Sequence, residues 1–299
     1  MDNHGFLIVD KPSGVSSSSV VQKIKTLFRL RKVGHTGTLD PLATGLLVLC
    51  VGQATKFSRF VIDQDKSYQV AIRLGVATDT FDSEGKVTSK ASADDISEEM
   101  IEFALERFRG EIKQIPPMYS AIKKNGVPLY KMARKGLQVE LDAREVKIYE
   151  NTLLSFDGEI LELYVSCSKG TYIRTIAADL GDVLGCGAHV VSLRRLSVGH
   201  YVESDMLCMR ELELAANKGS LSDYLLPVSS PFKEWTELLL EAEQARLVKN
   251  GATIKHSLTD VLGSVGLYEK CDLGEKRFIG VGEISENGIL YPKRLLHGV

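Results

Sequence analysis

Six consecutive apolar residues, Leu46-Leu47-Val48-Leu49-Cys50-Val51, follow directly on a glycine-punctuated loop. A run this short and unbroken reads as an interior strand, because both of its faces need cover. The loop before it is Gly34-His35-Thr36-Gly37-Thr38-Leu39-Asp40-Pro41-Leu42-Ala43-Thr44-Gly45. Asp40 is its one carboxylate. Pro41 biases Asp40 away from helical geometry, and the glycines let backbone approach a bound partner closely. The composition also fits an ordinary surface turn, since Gly, Asp, Thr and Pro are turn formers.

The surrounding pattern is mixed. Phe6–Asp10 reads as a buried strand, and Ser16–Ser19 offers hydroxyl caps for a helix over about 18–30. A helix is expected at 54–62 and a strand at 68–74, with Tyr68, Val70, Ile72 and Leu74 on one face. After an acidic loop at 78–85, an amphipathic helix is expected over 96–108. Met100, Ile101, Ala104, Leu105 and Phe108 should face inward. Strands at 146–156 and 160–167, a helix at 171–184 and a strand at 187–198 follow. A composition shift at Leu226–Pro231 reads as a linker. The expected division is therefore 1–228 and a small β-rich module at 231–299. That module should hold a helix at 238–249 and strands at 261–267, 278–284 and 289–295. Alternation alone leaves the α+β topology open.

With 299 residues, 44% hydrophobic and 25% charged, the chain has ample material for a core. It contains no apolar run long enough for a transmembrane helix and no basic flank of a signal peptide. Its five cysteines are odd in number and show no CxxC pair, so neither a disulfide framework nor a zinc site is indicated. A reducing cytoplasm is the expected location. The net charge of −2 hides an uneven distribution. Residues 1–60 hold eight Lys and Arg against three Asp and Glu, and 107–147 hold ten against four. Residues 79–106 reverse this, with two against nine. A basic face on an acidic protein permits RNA binding, although solvated surfaces would give the same blocks. Within Ile115–Arg144, the residues Lys123, Lys124, Lys131, Arg134 and Lys135 surround Tyr119 and Tyr130. Such a segment suits backbone and base contacts to RNA; a flexible surface hairpin is the other reading.

As a whole string, Gly34–Gly45 resembles the active-site motif of the TruB family, the tRNA pseudouridine-55 synthases. Further blocks recur in order: Leu7-Ile8-Val9-Asp10-Lys11-Pro12, Asp65-Lys66-Ser67-Tyr68, and the segment Arg73–Asp82. Gln114-Ile115-Pro116-Pro117-Met118-Tyr119-Ser120-Ala121, Ser168–Thr175 and Leu193-Arg194-Arg195-Leu196 complete the set. The resemblance covers residues 6–200 and, more loosely, the C-terminal module. Ser19 stands where many members carry aspartate, and serine caps a helix equally well.

The resemblance implies an α/β (α+β) chain with a mixed, largely antiparallel sheet of the pseudouridine synthase type and a PUA-like C-terminal module. It also implies isomerisation of uridine 55 in the T loop of tRNA, in which uracil leaves through N1, turns and rejoins ribose through C5. No net redox change or hydrolysis occurs, so no cofactor and no metal are implied. By this resemblance Asp40 is the nucleophile acting on a flipped-out base. Arg174 holds Asp40 ionised, Tyr68 and Tyr172 are pocket tyrosines, and Leu193 is an apolar wall. His35 takes the space of the flipped base, and Lys11 organises the loop or meets phosphate. Read without the family, Tyr68, Tyr172 and Leu193 would be core, while Arg174, His35 and Lys11 would be surface residues. The implied partner is the T arm of tRNA, with no membrane, no obligatory protein partner and a monomeric chain. Two rival readings stand beside this one. A guide-RNA-dependent relative would act only with protein partners and usually carries a longer basic tail. A tRNA-binding or folding protein would explain the basic patches but not an Asp-Pro loop backed by Arg174.

Overall fold

The computed structural model describes residues 3–137, 139–219, 221–255 and 261–298. The chain opens with β1 (Gly5–Lys11), α1 (Ser17–Leu27), β2 (Val33–His35) and β3 (Thr44–Val51). A 3₁₀ turn at Gly52–Phe57 leads into α2 (Ser58–Ile62), followed by β4 (Lys66–Leu74) and the hairpin β5 (Val76–Thr78) and β6 (Val87–Lys90). Next come α3 (Glu98–Leu105), β7 (Gly110–Gln114), the short pair β8 (Lys123–Lys124) and β9 (Val127–Pro128), and α4 (Leu129–Ala133). The larger unit is completed by β10 (Arg144–Phe156), β11 (Ile160–Cys167), α5 (Ile173–Leu184), β12 (Ala188–Val198) and α6 (Met209–Lys218).

The main sheet runs β1-β3-β12-β4-β11-β10-β7, with β2 also paired to β3. Only the β3–β12 pair is parallel. Side chains of β1 and β3 alternate between two cores. Leu7, Val9, Leu47 and Leu49 enter one, while Phe6, Ile8, Leu46, Val48 and Cys50 enter the other. The unbroken apolar run of β3 follows from this double cover. β1 occupies one full edge of β3, so β2 and β12 share the opposite edge. Residues 36–43 cross the gap between these two strands, which fixes where the loop must sit. At Gly45 (φ +95°) a Cβ would lie 2.3 Å from the Arg195 carbonyl oxygen, so only glycine allows the loop to join β3 there.

α1 begins at a cap supplied by Ser16, whose hydroxyl accepts from the Ser19 N–H. α3 buries Ile101, Ala104 and Leu105, but Met100 is exposed, one step off the inward face. A second correction falls at 238–249. Leu238 and Leu240 are buried while Leu239 is exposed, a period of two, so they form β13 (Thr236–Leu240). Three successive leucines fit either period. The helix α7 (Ala242–Lys249) starts only after Glu241, whose N–H donates to the Gln244 side chain. With β14 (Ile254–Lys255), β15 (Gly263–Lys270), β16 (Lys276–Ile284) and β17 (Ile289–Leu295), β13 makes a second sheet in the order β13-β15-β16-β17-β14.

The stretch joining the two sheets is packed. Val228, Ser230, Pro231 and Phe232 are buried, and Phe232 meets Phe57, Trp235 and Phe278 at ring-centroid distances of 5.8, 4.9 and 5.7 Å. Aromatic contacts of this kind carry large apolar area and prefer edge or offset geometry, so they hold the second sheet against the first. Among the described residues, no helix is long and apolar enough to cross a membrane.

Candidate active site

The Asp40 loop is pinned from below by the chain that leaves β1. Lys11 is completely buried, and its Nζ donates to the carbonyls of Pro12, Val15 and Pro41 at 2.9, 2.7 and 3.2 Å. The Gly14 N–H also donates to the Pro41 carbonyl, and the Ser13 hydroxyl to that of Leu42. Ser17, at the start of α1, both donates to the Leu39 carbonyl and accepts from the Leu39 N–H. Residues on both sides of Asp40 are thereby held, which leaves its carboxylate fixed in position.

Burial drives the Lys11 amine down to about 8 from 10.5, and the nearby Asp40 charge only partly opposes this. Between those two values the unfolded chain keeps a proton that the native amine has released, so this contribution to stability grows as pH rises. Lys11→Met should therefore lose ground to the wild type progressively between pH 8 and 10 in urea unfolding. At pH 7 it should already be less stable by about 2 kcal/mol, from three carbonyls losing a donor. A gap that stays constant across that pH range would mean the buried amine titrates normally.

Arg174 reaches Asp40 from the first turn of α5. Its Nε lies 2.9 Å from Asp40 Oδ2, and its Nη2 donates to Oδ1 at 3.1 Å, a two-pronged pair. Nη1 donates to the Thr80 carbonyl at 2.8 Å and lies 3.5 Å from Asp82 Oδ2, while Nη2 also donates to the Tyr119 carbonyl at 2.8 Å. A cation in the first turn of a helix opposes the helix dipole, so the two carboxylates compensate for an otherwise unfavourable position. Burial pushes the Asp40 carboxyl above its ordinary value; Arg174 pulls it back, Asp82 adds to the upward push, and Lys11 opposes it. Asp40 remains partly exposed, with 31% of its side chain accessible against 4% for Arg174. The carboxylate therefore points to solvent from a fixed mount.

That solvent is a cavity of about 400 Å³ whose wall includes Asp40, Tyr68, Tyr172, Arg174 and Leu193. Strand register explains the convergence: Tyr68 on β4 stands opposite Arg195 on β12, and Leu193 stands opposite Val70. Tyr172 is fixed at the head of α5 by Gln114, which accepts from its N–H at 2.7 Å and donates to its carbonyl at 3.0 Å. The sequence-based site residues thus fall into three groups. Five line the cavity, Lys11 supports the loop beneath it, and His35 stands at the end of β2 outside the wall. The Gly37 N–H donates to His35 Nδ1 at 3.4 Å, and burial together with Arg195 lowers the His35 pKa.

Sequence reasoning assigned no role to Asp82, Gln114 or Arg195. Arg195 is buried in the wall, where its Nε donates to the Leu46 carbonyl at 2.7 Å and Nη2 to that of Gly37 at 3.3 Å. It ties β12 to the root of the Asp40 loop. The available signal was the opposition between Arg174 and its helix dipole, which called for carboxylate partners in the folded chain.

The fold is shared with a chain of the structure titled "Crystal Structure of a Cbf5-Nop10-Gar1 Complex", at 22% identity and a TM-score of 0.73 over 97% of this chain and 84% of that one. Sequence similarity to known families is much closer. "TruB family pseudouridylate synthase (N terminal domain)" matches residues 25–173, "tRNA pseudouridylate synthase B C-terminal domain" matches 174–233, and "Pseudouridine synthase II TruB, C-terminal" matches 236–296. Proteins named "tRNA pseudouridine synthase B" from Coxiella burnetii (strain RSA 331 / Henzerling II) and Yersinia pestis (strain Pestoides F) are each 46% identical to the chain. The first match spans 98% of this chain and 94% of the relative; the second spans 99% and 93%. These matches define the class of the chain as a pseudouridine synthase, a uridine-isomerising enzyme. The chain belongs to the TruB family of pseudouridylate synthases.

Proposed function

We propose that the chain converts uridine 55 in the T loop of tRNA to pseudouridine, with Asp40 as the nucleophile. The observation that carries this reading is the Asp40 carboxylate, on a loop held by Lys11 and forked by Arg174, which among the described residues is the one carboxylate in the wall of a cavity that also holds Tyr68, Tyr172 and Leu193. The target base must leave its stack to reach Asp40. Tyr68 and Leu193 then bound the ring, Tyr172 lies beside it, and Arg174 keeps the carboxylate aimed at the reacting sugar–base unit. In this reading His35, just outside the wall, fills the gap left in the RNA loop. The names of the 46% identical relatives favour tRNA as the substrate. Incubation of the purified chain alone with an unmodified tRNA transcript, followed by mapping of pseudouridine, tests the reading. Product at position 55 supports it. No product without added protein and guide RNA would favour the guide-dependent alternative, and binding without product under either condition would favour a tRNA-folding role.

The segment around 115–145 supports an RNA contact. Its root lies in the site, through Tyr119 on Arg174, while Lys123 and Lys124 are exposed on a hairpin turned by Asn125 and Gly126, both with positive φ. Arg134 lies over the Tyr130 ring at 5.7 Å. Changing Lys123, Lys124, Arg134 and Lys135 to glutamine should weaken tRNA binding. It should also flatten the plot of log affinity against log salt by up to about three units, because fewer counterions are released. Unchanged affinity and slope in filter binding would make this a solvated loop.

A further inference from the structure

Tyr68 and Arg195 stand opposite each other on β4 and β12, and both form part of the cavity wall. Arg195 is 3% exposed, and among the described residues no carboxylate pairs with it. Its Nε and Nη2 donate to the Leu46 and Gly37 carbonyls, which hold the guanidinium in place without neutralising it. Buried charges are ordinarily paired, so an arginine left with carbonyls alone marks a corner that an incoming negative charge would stabilise. Lys66 stands in the same wall, and burial, followed by Arg195, lowers its amine to about 8.

The Arg195 guanidinium lies beside the Tyr68 hydroxyl. An arginine has only N–H groups to offer, so in that contact the phenol oxygen accepts. The hydroxyl proton is then left over. Among the described residues no carbonyl, carboxylate or hydroxyl takes it, and the oxygen is not sealed from solvent. Burial holds the phenol above its ordinary range, with Arg195 opposing and Cys167 and Asp40 adding to the rise, so the proton stays on at neutral pH.

We propose that Arg195 is a positioning residue for the isomerisation: by occupying the Tyr68 oxygen it commits the Tyr68 hydroxyl to donating toward an oxygen of the flipped uracil. This rests on the assignment of the cavity to a uridine. When the bond from C1′ to N1 breaks, its electron pair stays with the ring, and an Asp40 oxygen takes its place on C1′. The ring is then a uracil anion, its charge spread over N1 and the carbonyl oxygens. A donor backed by a buried cation steadies that charge while the ring turns. C5 next bonds to C1′ as the ester bond to Asp40 breaks and its pair returns to the carboxylate. The proton that C5 loses is matched by one that N1 gains through water. Tyr68 keeps its own proton throughout, so it is a donor and not a base.

The test uses the full chain with Tyr68→Phe, Arg195→Lys and both together, an unmodified tRNA transcript, single-turnover product mapping and filter binding. Tyr68→Phe keeps the aromatic ring, so tRNA affinity should stay within about threefold of wild type. Its rate should fall by about ten- to a hundredfold, as for a lost hydrogen bond to a charged group. Arg195→Lys should slow the reaction about tenfold on its own, yet less than about twofold when added to Tyr68→Phe. Losses that multiply would mean that Arg195 acts through the loop, and would overturn the proposal. So would a wild-type rate in Tyr68→Phe, which also decides the matter if Arg195→Lys fails to fold. The rate–pH profile separates a donor from a base. Between pH 7 and 9 the wild-type rate should not rise through Tyr68. A rise of about tenfold per pH unit that vanishes in Tyr68→Phe would make the phenolate a base and overturn the proposal. If the wild type makes no product at all, the cavity assignment fails, and that result is distinct from these.

Discussion

Asp40→Asn should yield no detectable pseudouridine while the chain still folds and binds tRNA. Asparagine keeps the size of the side chain and can still accept from Arg174, but it lacks the negative charge and the nucleophilic oxygen. No other carboxylate in the Gly34–Gly45 loop can replace it. Folding should survive for a reason visible in the electrostatics. A carboxyl whose pKa is raised on folding contributes stability below its unfolded value and loses it as pH climbs through the native one. At neutral pH the ionised Asp40 is therefore a burden on stability that asparagine removes. Arg174 meanwhile retains Asp82 and two carbonyls. Affinity depends mainly on phosphate contacts and RNA shape, so it should remain within about tenfold, or 1.4 kcal/mol, of wild type. Product mapping under single turnover, paired with filter binding on the same tRNA, checks both halves. Robust product would remove Asp40 from the chemistry. Lost binding in a folded variant would instead mean that the residue organises the RNA surface.

The second large effect is expected at Arg174, where structure and chemistry can be separated. Arg174→Gln leaves Asp82, which is 3% exposed, without its cation, and breaking a buried pair in this way costs about 3–5 kcal/mol. Activity should fall by at least about a hundredfold, because Asp40 loses the fork that aims it. Arg174→Lys should recover little, since an ammonium cannot present two parallel donors. Adding Asp82→Asn to Arg174→Gln should restore a good part of the stability, measured by urea unfolding, because the buried carboxylate left without its cation is then gone. It should restore none of the activity. Joint recovery of both would mean that the loss of catalysis merely reflected a loosened fold.

The fold and the site were legible in the sequence to different degrees. The β3 run announced its double burial, and the alternation in β4 placed Tyr68 and its neighbours on the core face. Leu238-Leu239-Leu240 misled because three like residues carry no period, and only pairing with β15 made them a strand. Asp40 stood out through the glycines and proline around it. Arg174 and Leu193 gained meaning from the family resemblance, because an arginine in a helix and a leucine in a strand carry no local mark. Asp82 sat in an acidic loop that reads as solvated. Folding of the β5–β6 hairpin against the head of α5 turns it into a partner for Arg174.

Arg174 binds partners 134, 94 and 55 residues away along the chain, at Asp40, Thr80 and Tyr119. Each such closure must pay its loop entropy before the contact can reward it, so these links are expected late in folding. A molecule with most of its sheet assembled but one of these segments undocked would hold its carboxylate loosely aimed. If Asp40 and Arg174 act as proposed, chemistry becomes available only when distant parts of the chain have all arrived, and a half-folded copy would be a poor modifier of whatever RNA it meets.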